Sequence, residues 1–115
     1  MDESLEKALD FSNYMITFNN QKRIIHEEYM EDLVVYQFGG KFTVTKELIS
    51  FVGNILDQDN SKTVLIDDNN TPILIEDLST FMYDIKGCYG TASAKYYEKY
   101  KKMVSKRNVE SIVDV

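Results

Sequence analysis

The chain has no tryptophan and only one cysteine, one proline and one histidine among its 115 residues. Each scarcity excludes something. A lone Cys88 cannot form an internal disulfide, so a reducing compartment is expected. A lone His26 has no second histidine or cysteine to share a metal with, and Glu27 and Glu28 are its chain neighbours rather than residues on its own helix face. The five glycines make no phosphate loop, because no strand leads into Gly87 and Gly90 and no Lys-Ser/Thr follows them in register. No serine or threonine sits in a strand-turn-helix elbow. No apolar run approaches the roughly 18 residues of a membrane span. The acidic, polar opening Met1-Asp2-Glu3-Ser4 is expected not to be a secretory signal. A surplus of lysine and arginine is also missing. The net charge of −6 argues against general electrostatic binding to nucleic acid, while leaving room for a local basic patch.

What is present is ordinary for a globule: 43% hydrophobic and 28% charged residues, enough for one domain over residues 1–115 with a modest core. Asparagine, lysine, isoleucine, aspartate and tyrosine are plentiful, a composition compatible with a low-GC genome. The strongest organisation is a unit that occurs twice, a hairpin followed at once by a helix. Val34–Phe38 meets Lys41–Thr45 across Gly39-Gly40, which reads as a tight two-residue turn. Thr63–Asp67 meets Thr71–Glu76 across Asp68-Asn69-Asn70, a turn suited to asparagine and aspartate. Pro72 cannot donate a ladder bond and belongs at an edge or a strand start.

Apolarity groups Val34, Tyr36, Phe38, Phe42 and Val44 as the inward side of the first hairpin, with Val35, Gln37, Lys41 and Thr43 outward. Thr45 is expected to cap a helix over residues 46–56, with Glu47 in its first turn, and Asp77 to cap the last helix. A first helix is expected over residues 3–31, with Phe11, Tyr14, Met15, Phe18, Lys22, Ile25 and Tyr29 as its stripe. The last helix carries Leu78, Met82, Ile85, Tyr89, Ala92, Tyr96 and Met103. Gly87 and Gly90 predict a kink or close contact there, or a break into two helices. Lys106-Arg107-Asn108 marks its end, and Val109, Ile112 and Val113 suggest a final short docked turn. The expected fold class is α+β: an N-terminal helix, two hairpin–helix units forming a mostly antiparallel sheet of about four strands or two separate hairpins, and a long C-terminal helix. The first and last helices are expected to supply most of the core.

Most polar clusters have a structural account. Asp57-Gln58-Asp59-Asn60-Ser61, continuing to Asp68, has the oxygen spacing of a calcium loop, but Lys62 replaces the glycine of the sharp bend and Asp68 the bidentate glutamate. A solvated helix end fits better. Asp67, Asp68, Glu76 and Asp77 could be paired carboxylates, but turn and cap chemistry explains all four. Cys88 reads as a small buried hydrophobe with no base beside it. The expectation is therefore no enzyme, no metal and no cofactor.

One surface feature remains. Lys95, Tyr97, Lys99, Tyr100, Lys101, Lys102, Lys106 and Arg107 make a basic, aromatic stretch. It holds six of the thirteen basic residues. The functional reading is a partner-binding face; the structural one is a helix whose tyrosines reach the core while its lysines snorkel. A protein partner with an acidic surface is expected ahead of nucleic acid. A second copy counts among such partners, meeting the face through its acidic turns or pairing through the Ile85–Met103 stripe.

The segments ALDFSNYMITFNNQKR (8–23), GGKFTVTKELISFV (39–52), LIDDNNTPILIEDL (65–78) and YYEKYKKMVSKRNVESIVDV (96–115) resemble small structural or accessory proteins of large contractile-tailed, T-even-like marine bacteriophages. The resemblance implies a structural or assembly role, in the host cytoplasm or the virion, and carries over no functional residue. The other expectation is a small phage regulator that contacts nucleic acid or the transcription machinery through the basic Tyr/Lys helix.

Overall fold

A computed structural model of the chain describes residues 2–113, with side chains described through Lys106. The elements in order are α1 (Glu3–Asp32), β1 (Val34–Gln37), β2 (Gly40–Thr43), α2 (Lys46–Asp57), β3 (Thr63–Ile66), β4 (Pro72–Ile75) and α3 (Leu78–Val113). The fold is α+β, with three helices and two antiparallel hairpins. The radius of gyration is 21.1 Å and the extents are 69 × 24 × 19 Å, against the roughly 13 Å expected of a compact globule this long. The length comes from the two long helices. Ser93 pairs with Tyr29, Lys95 with Asp32, and Lys99 with Glu28, so α1 and α3 run antiparallel as a stalk. Both hairpins and α2 gather around the first turns of α3 as a head.

Local chemistry places the helix starts. Asp2 Oδ1 accepts from the Ser4 N–H at 3.2 Å, Thr45 Oγ1 from the Leu48 N–H at 3.0 Å, and Asp77 Oδ1 from the Thr80 N–H at 3.1 Å. Each cap satisfies one of the donors a helix start leaves open. Pro72 opens β4, where its missing N–H leaves no gap in the ladder.

The core sits in the head. Phe81, Ile75, Leu78, Ile85, Val44 and Val52 are its largest fully buried side chains, and α1 contributes no buried residue. The expectation that the two long helices supply most of the core is therefore corrected. Their pairing buries only a narrow seam, half-buried at Tyr14, Phe18, Gln21, Ile25, Glu28, Tyr29 and Asp32 on the α1 side. These steps of three and four are those of a helix–helix seam, whereas a core face needs a broader apolar stripe. Phe11, in the expected stripe, is exposed. The α3 stripe holds, and Phe81 joins it in the turn between Leu78 and Ile85.

α3 itself is one uninterrupted helix. It has no break at Gly87 or Gly90, and nothing lies within 4 Å of where a Cβ would stand on either. No close approach explains these glycines, and the seam on either side of them carries the helix through their low propensity. Its backbone also continues past Lys106–Asn108 to Val113. The expected docking of Val109, Ile112 and Val113 lies outside the described side chains.

The first hairpin differs in two respects from its sequence pattern. The turn is Phe38-Gly39, at φ 55° and 82°, and Gly40 opens β2 opposite Gln37. Directly opposed residues point to the same face, so Val35 shares the core side with Phe42, and Tyr36 stands out at 74% exposure. The expected grouping of Val34 and Tyr36 with Phe42 and Val44 is corrected by this rule of antiparallel pairing, whereas Phe38, in the turn, does meet core Phe81 edge-on at 6.4 Å. This register opposes the two apolar side chains Val35 and Phe42 and holds Phe38 in the left-handed region, at a cost of about 1–3 kcal/mol. Gly40 is buried beneath the second hairpin: a Cβ there would fall 2.8 Å from both Ile73 Cγ1 and Phe42 Cε2.

The four strands do not form one sheet but two separate two-stranded ones. A polar clamp joins them. The outer edge of β2 would leave Lys41 and Thr43 backbone groups unpaired. The Asp68 N–H donates to the Lys41 carbonyl at 2.8 Å, the Lys41 N–H to Asp67 Oδ2 at 3.1 Å, and the Thr43 N–H to Asp68 Oδ1 at 3.2 Å. The Thr43 hydroxyl adds a bond to Asp68 Oδ2 at 2.5 Å. The turn of one hairpin thereby occupies the edge of the other, and no further strand can add there.

Gly40→Ala is expected to destabilise the protein by about 1–3 kcal/mol through overpacking against Ile73 and Phe42. Gly87→Ala, in open space within a helix, should stabilise it by about 0.5–1 kcal/mol. Urea midpoints of the two variants check both signs.

Candidate functional site

The basic, aromatic stretch lies on the distal half of α3, and the fold divides it. Lys95 Nζ reaches Asp32 Oδ2 at 3.3 Å, and Lys99 pairs with Glu28. These two lysines clasp α1 and are engaged within the chain. Tyr96 stacks on Tyr29 with centroids 4.5 Å apart, and His26 meets its ring edge-on at 6.0 Å. The Tyr29 hydroxyl bonds Ser93 Oγ at 3.0 Å. On the outward side, Tyr97 is 61% exposed and Tyr100 38%. Lys101 lies 5.6 Å from the Tyr97 ring centroid and 3.5 Å from Glu98 Oε1, a loose arrangement at the surface. Lys102 and Lys106 rim a groove floored by Ile24, Ile25 and Met103. The Arg107 side chain lies outside the described residues. Of the expected partner-binding set, Tyr97, Tyr100, Lys101, Lys102 and Lys106 are thus presented outward. The Ile85–Met103 stripe is packed within the chain, against the head and α1, and its pairing with a symmetry mate is set aside.

A second exposed surface was missed in the sequence. Val64 opposes Leu74 and Ile66 opposes Pro72 on the outer face of the β3–β4 hairpin, and all four are exposed. Strict alternation would have revealed it: Thr63, Leu65, Ile73 and Ile75 take the core side, so an apolar residue between them must face water.

The titratable groups have structural work. Asp67 is buried and its Oδ1 accepts from the Asn69 and Thr71 N–H groups at 2.9 Å each. Bonds from the Thr71 and Lys41 backbone, with a smaller one from Asn69, hold its carboxyl below the usual range against the opposing effect of burial. Asp77 is lowered by the Thr80 hydroxyl and then the Thr80 N–H. Cys88 donates to the Asp32 carbonyl at 3.2 Å. Burial, and secondarily the Asp32 charge, push its thiol up, the opposite of what a nucleophile needs. Asp68, the twelfth position of the calcium-like pattern, is committed to Thr43. Among the described residues no three His, Cys, Asp or Glu side chains gather as a metal group, and no helix is long and apolar enough to cross a membrane.

No protein-family model, curated protein or solved structure matches the chain.

The depressed Asp67 and Asp77 carboxyls contribute stability that is fully present above the ordinary carboxylate range of about 4. It is lost as pH falls through their lower folded-state values. Asp67→Asn is expected to flatten the acid limb of the stability–pH profile, measured by urea unfolding from neutral to acid pH. An unchanged limb would assign acid sensitivity elsewhere.

Proposed function

We propose that the chain is a non-enzymatic interaction protein that acts by protein–protein contact, and that its setting is the structure or assembly of a bacteriophage particle. The carrying observation is distal α3, where Tyr97, Tyr100 and Lys101 are exposed on the outward side and Lys102 and Lys106 are exposed at the rim of the groove with α1. Exposed tyrosines supply anchors that order at low entropic cost, and lysines around them select an acidic surface. The apolar outer face of β3–β4 supports the same reading, since contiguous apolar patches on a small domain mark contact sites. The segments that resemble phage proteins support the setting, with host cytoplasm or virion as its place. The polar groups of the head support a scaffold role, because Asp67, Asp68, Asp77 and Thr45 are spent on caps and the clamp.

The runner-up is a regulator that contacts nucleic acid or the transcription machinery through the same residues. Interleaved tyrosine and lysine favour it; the net charge of −6 opposes it.

Affinity capture from infected cells with wild type and with Tyr97→Ala/Lys101→Glu separates these. A protein partner retained by wild type and weakened about tenfold or more by the double substitution is expected, since anchor residues carry most of the energy of an interface. A partner indifferent to the substitution overturns the proposed face. Salt-sensitive retardation of DNA or RNA, lost in the same variant, would move the assignment to the regulator.

A further inference from the structure

The groove between the stalk helices is lined by Gln21, Ile24, Ile25, Lys102, Met103 and Lys106 and has a volume of about 270 Å³. Its floor is apolar. Its two lysines make no ion pair among the described residues. From Ile24 toward the N-terminus, alternating steps of four and three along α1 lead to Asn20, Thr17, Asn13, Asp10 and Glu6. Such steps hold one stripe of a helix. These five residues are exposed, and Glu6 and Asp10 also lack an ion pair among the described residues. One side of the stalk therefore runs from basic at the groove, through a neutral amide and hydroxyl stretch, to acidic near the start of α1. Leu9 and Ile16 lie on the adjoining row with Asn13 and Asn20, exposed at 46% and 57%.

This side is complementary to itself when reversed. An antiparallel register that sets Glu6 opposite Ile24 of a second copy also sets Asp10 opposite Asn20 and Asn13 opposite Thr17. A two-fold axis then passes close to Met15. Glu6 and Asp10 come beside the lysines of the second copy's groove, Leu9 reaches its apolar floor, and the same contacts repeat on the other side of the axis. We infer that the groove receives the acidic first turns of α1 from a second copy, giving an antiparallel dimer of stalks with the heads at opposite ends. The inference rests on reading Lys102 and Lys106 as protein-binding groups, and it names the acidic partner. The interface is isologous, as a closed dimer requires. Charge sets its register, because a parallel arrangement would bring Glu6 and Asp10 of the two copies together.

Sedimentation velocity on the full chain tests it. Wild type is expected to dimerise with a dissociation constant that rises about tenfold or more between 0.05 M and 0.5 M salt, since exposed charge pairs are screened. Lys102→Glu/Lys106→Glu and Glu6→Lys/Asp10→Lys should each be monomeric, and their equimolar mixture should dimerise, because both contacts regain opposite charges. Reversed charges near the start of α1 also oppose the helix dipole. Glu6→Gln/Asp10→Asn, with far-UV circular dichroism unchanged, should therefore show the same direction of loss. A wild type that stays monomeric at all concentrations overturns the inference, as does a mixture that remains monomeric. A monomeric wild type that still binds a different acidic protein through Lys102 and Lys106 overturns self-pairing alone. Loss of that binding as well overturns the parent reading.

Discussion

A two-stranded hairpin by itself is marginal in water, and this chain contains two that do not share a ladder. What makes them one head is the Asp67-Asp68 turn laid along the outer edge of β2. The clamp works because its acceptors are preorganised. Asp67 Oδ1 is held by its own turn through Asn69 and Thr71, which leaves Oδ2 free to take the Lys41 N–H. Beneath it, Gly40 lets Ile73 and Phe42 close together where any side chain would intrude. Polar satisfaction at the edge and apolar closure underneath are two views of the same junction. Both fail if either hairpin shifts in register.

The stalk is built on a different balance. Its seam is mostly half-buried, and aromatic stacking and ion pairs take on the task of alignment: Tyr29 on Tyr96, Lys99 with Glu28, Lys95 with Asp32. Exposed ion pairs add little stability individually, but these fix which turn of α3 meets which turn of α1. The head is the part that holds the fold, and the stalk is the part that presents surface. An extended helical hairpin exposes more side chain per residue than a globule does.

The division of labour among charged residues follows from this arrangement. Carboxylates in the head serve caps and turns, and lysines near the head end of the stalk pair within the chain. Farther out, Tyr97, Tyr100, Lys102 and Lys106 stand exposed, and Lys101 makes only loose surface contacts with Glu98 and the Tyr97 ring.

How far the sequence reached depended on the range of the interaction. Thr45, Asp77 and Pro72 act within a few residues of themselves, so caps and strand starts were legible by inspection. The two hairpins and the long terminal helix were legible too, because periodicity and turn chemistry are local. The turn at Phe38-Gly39 was not legible, because Gly39-Gly40 is the stronger local turn signal; that Gly40 instead packs against Ile73, more than thirty residues away, is a tertiary contact. The same distance hid the β2 clamp: Asp68 looked like a turn residue and is also the partner of Thr43. Lys95 and Lys99 read as free surface charge until α1, more than sixty residues earlier, supplied Asp32 and Glu28. By itself the sequence determined the elements, their order and the caps that start the helices. Only the tertiary structure decided which faces met and which charges were spent, because those outcomes belong to pairs of residues that nothing local brings together.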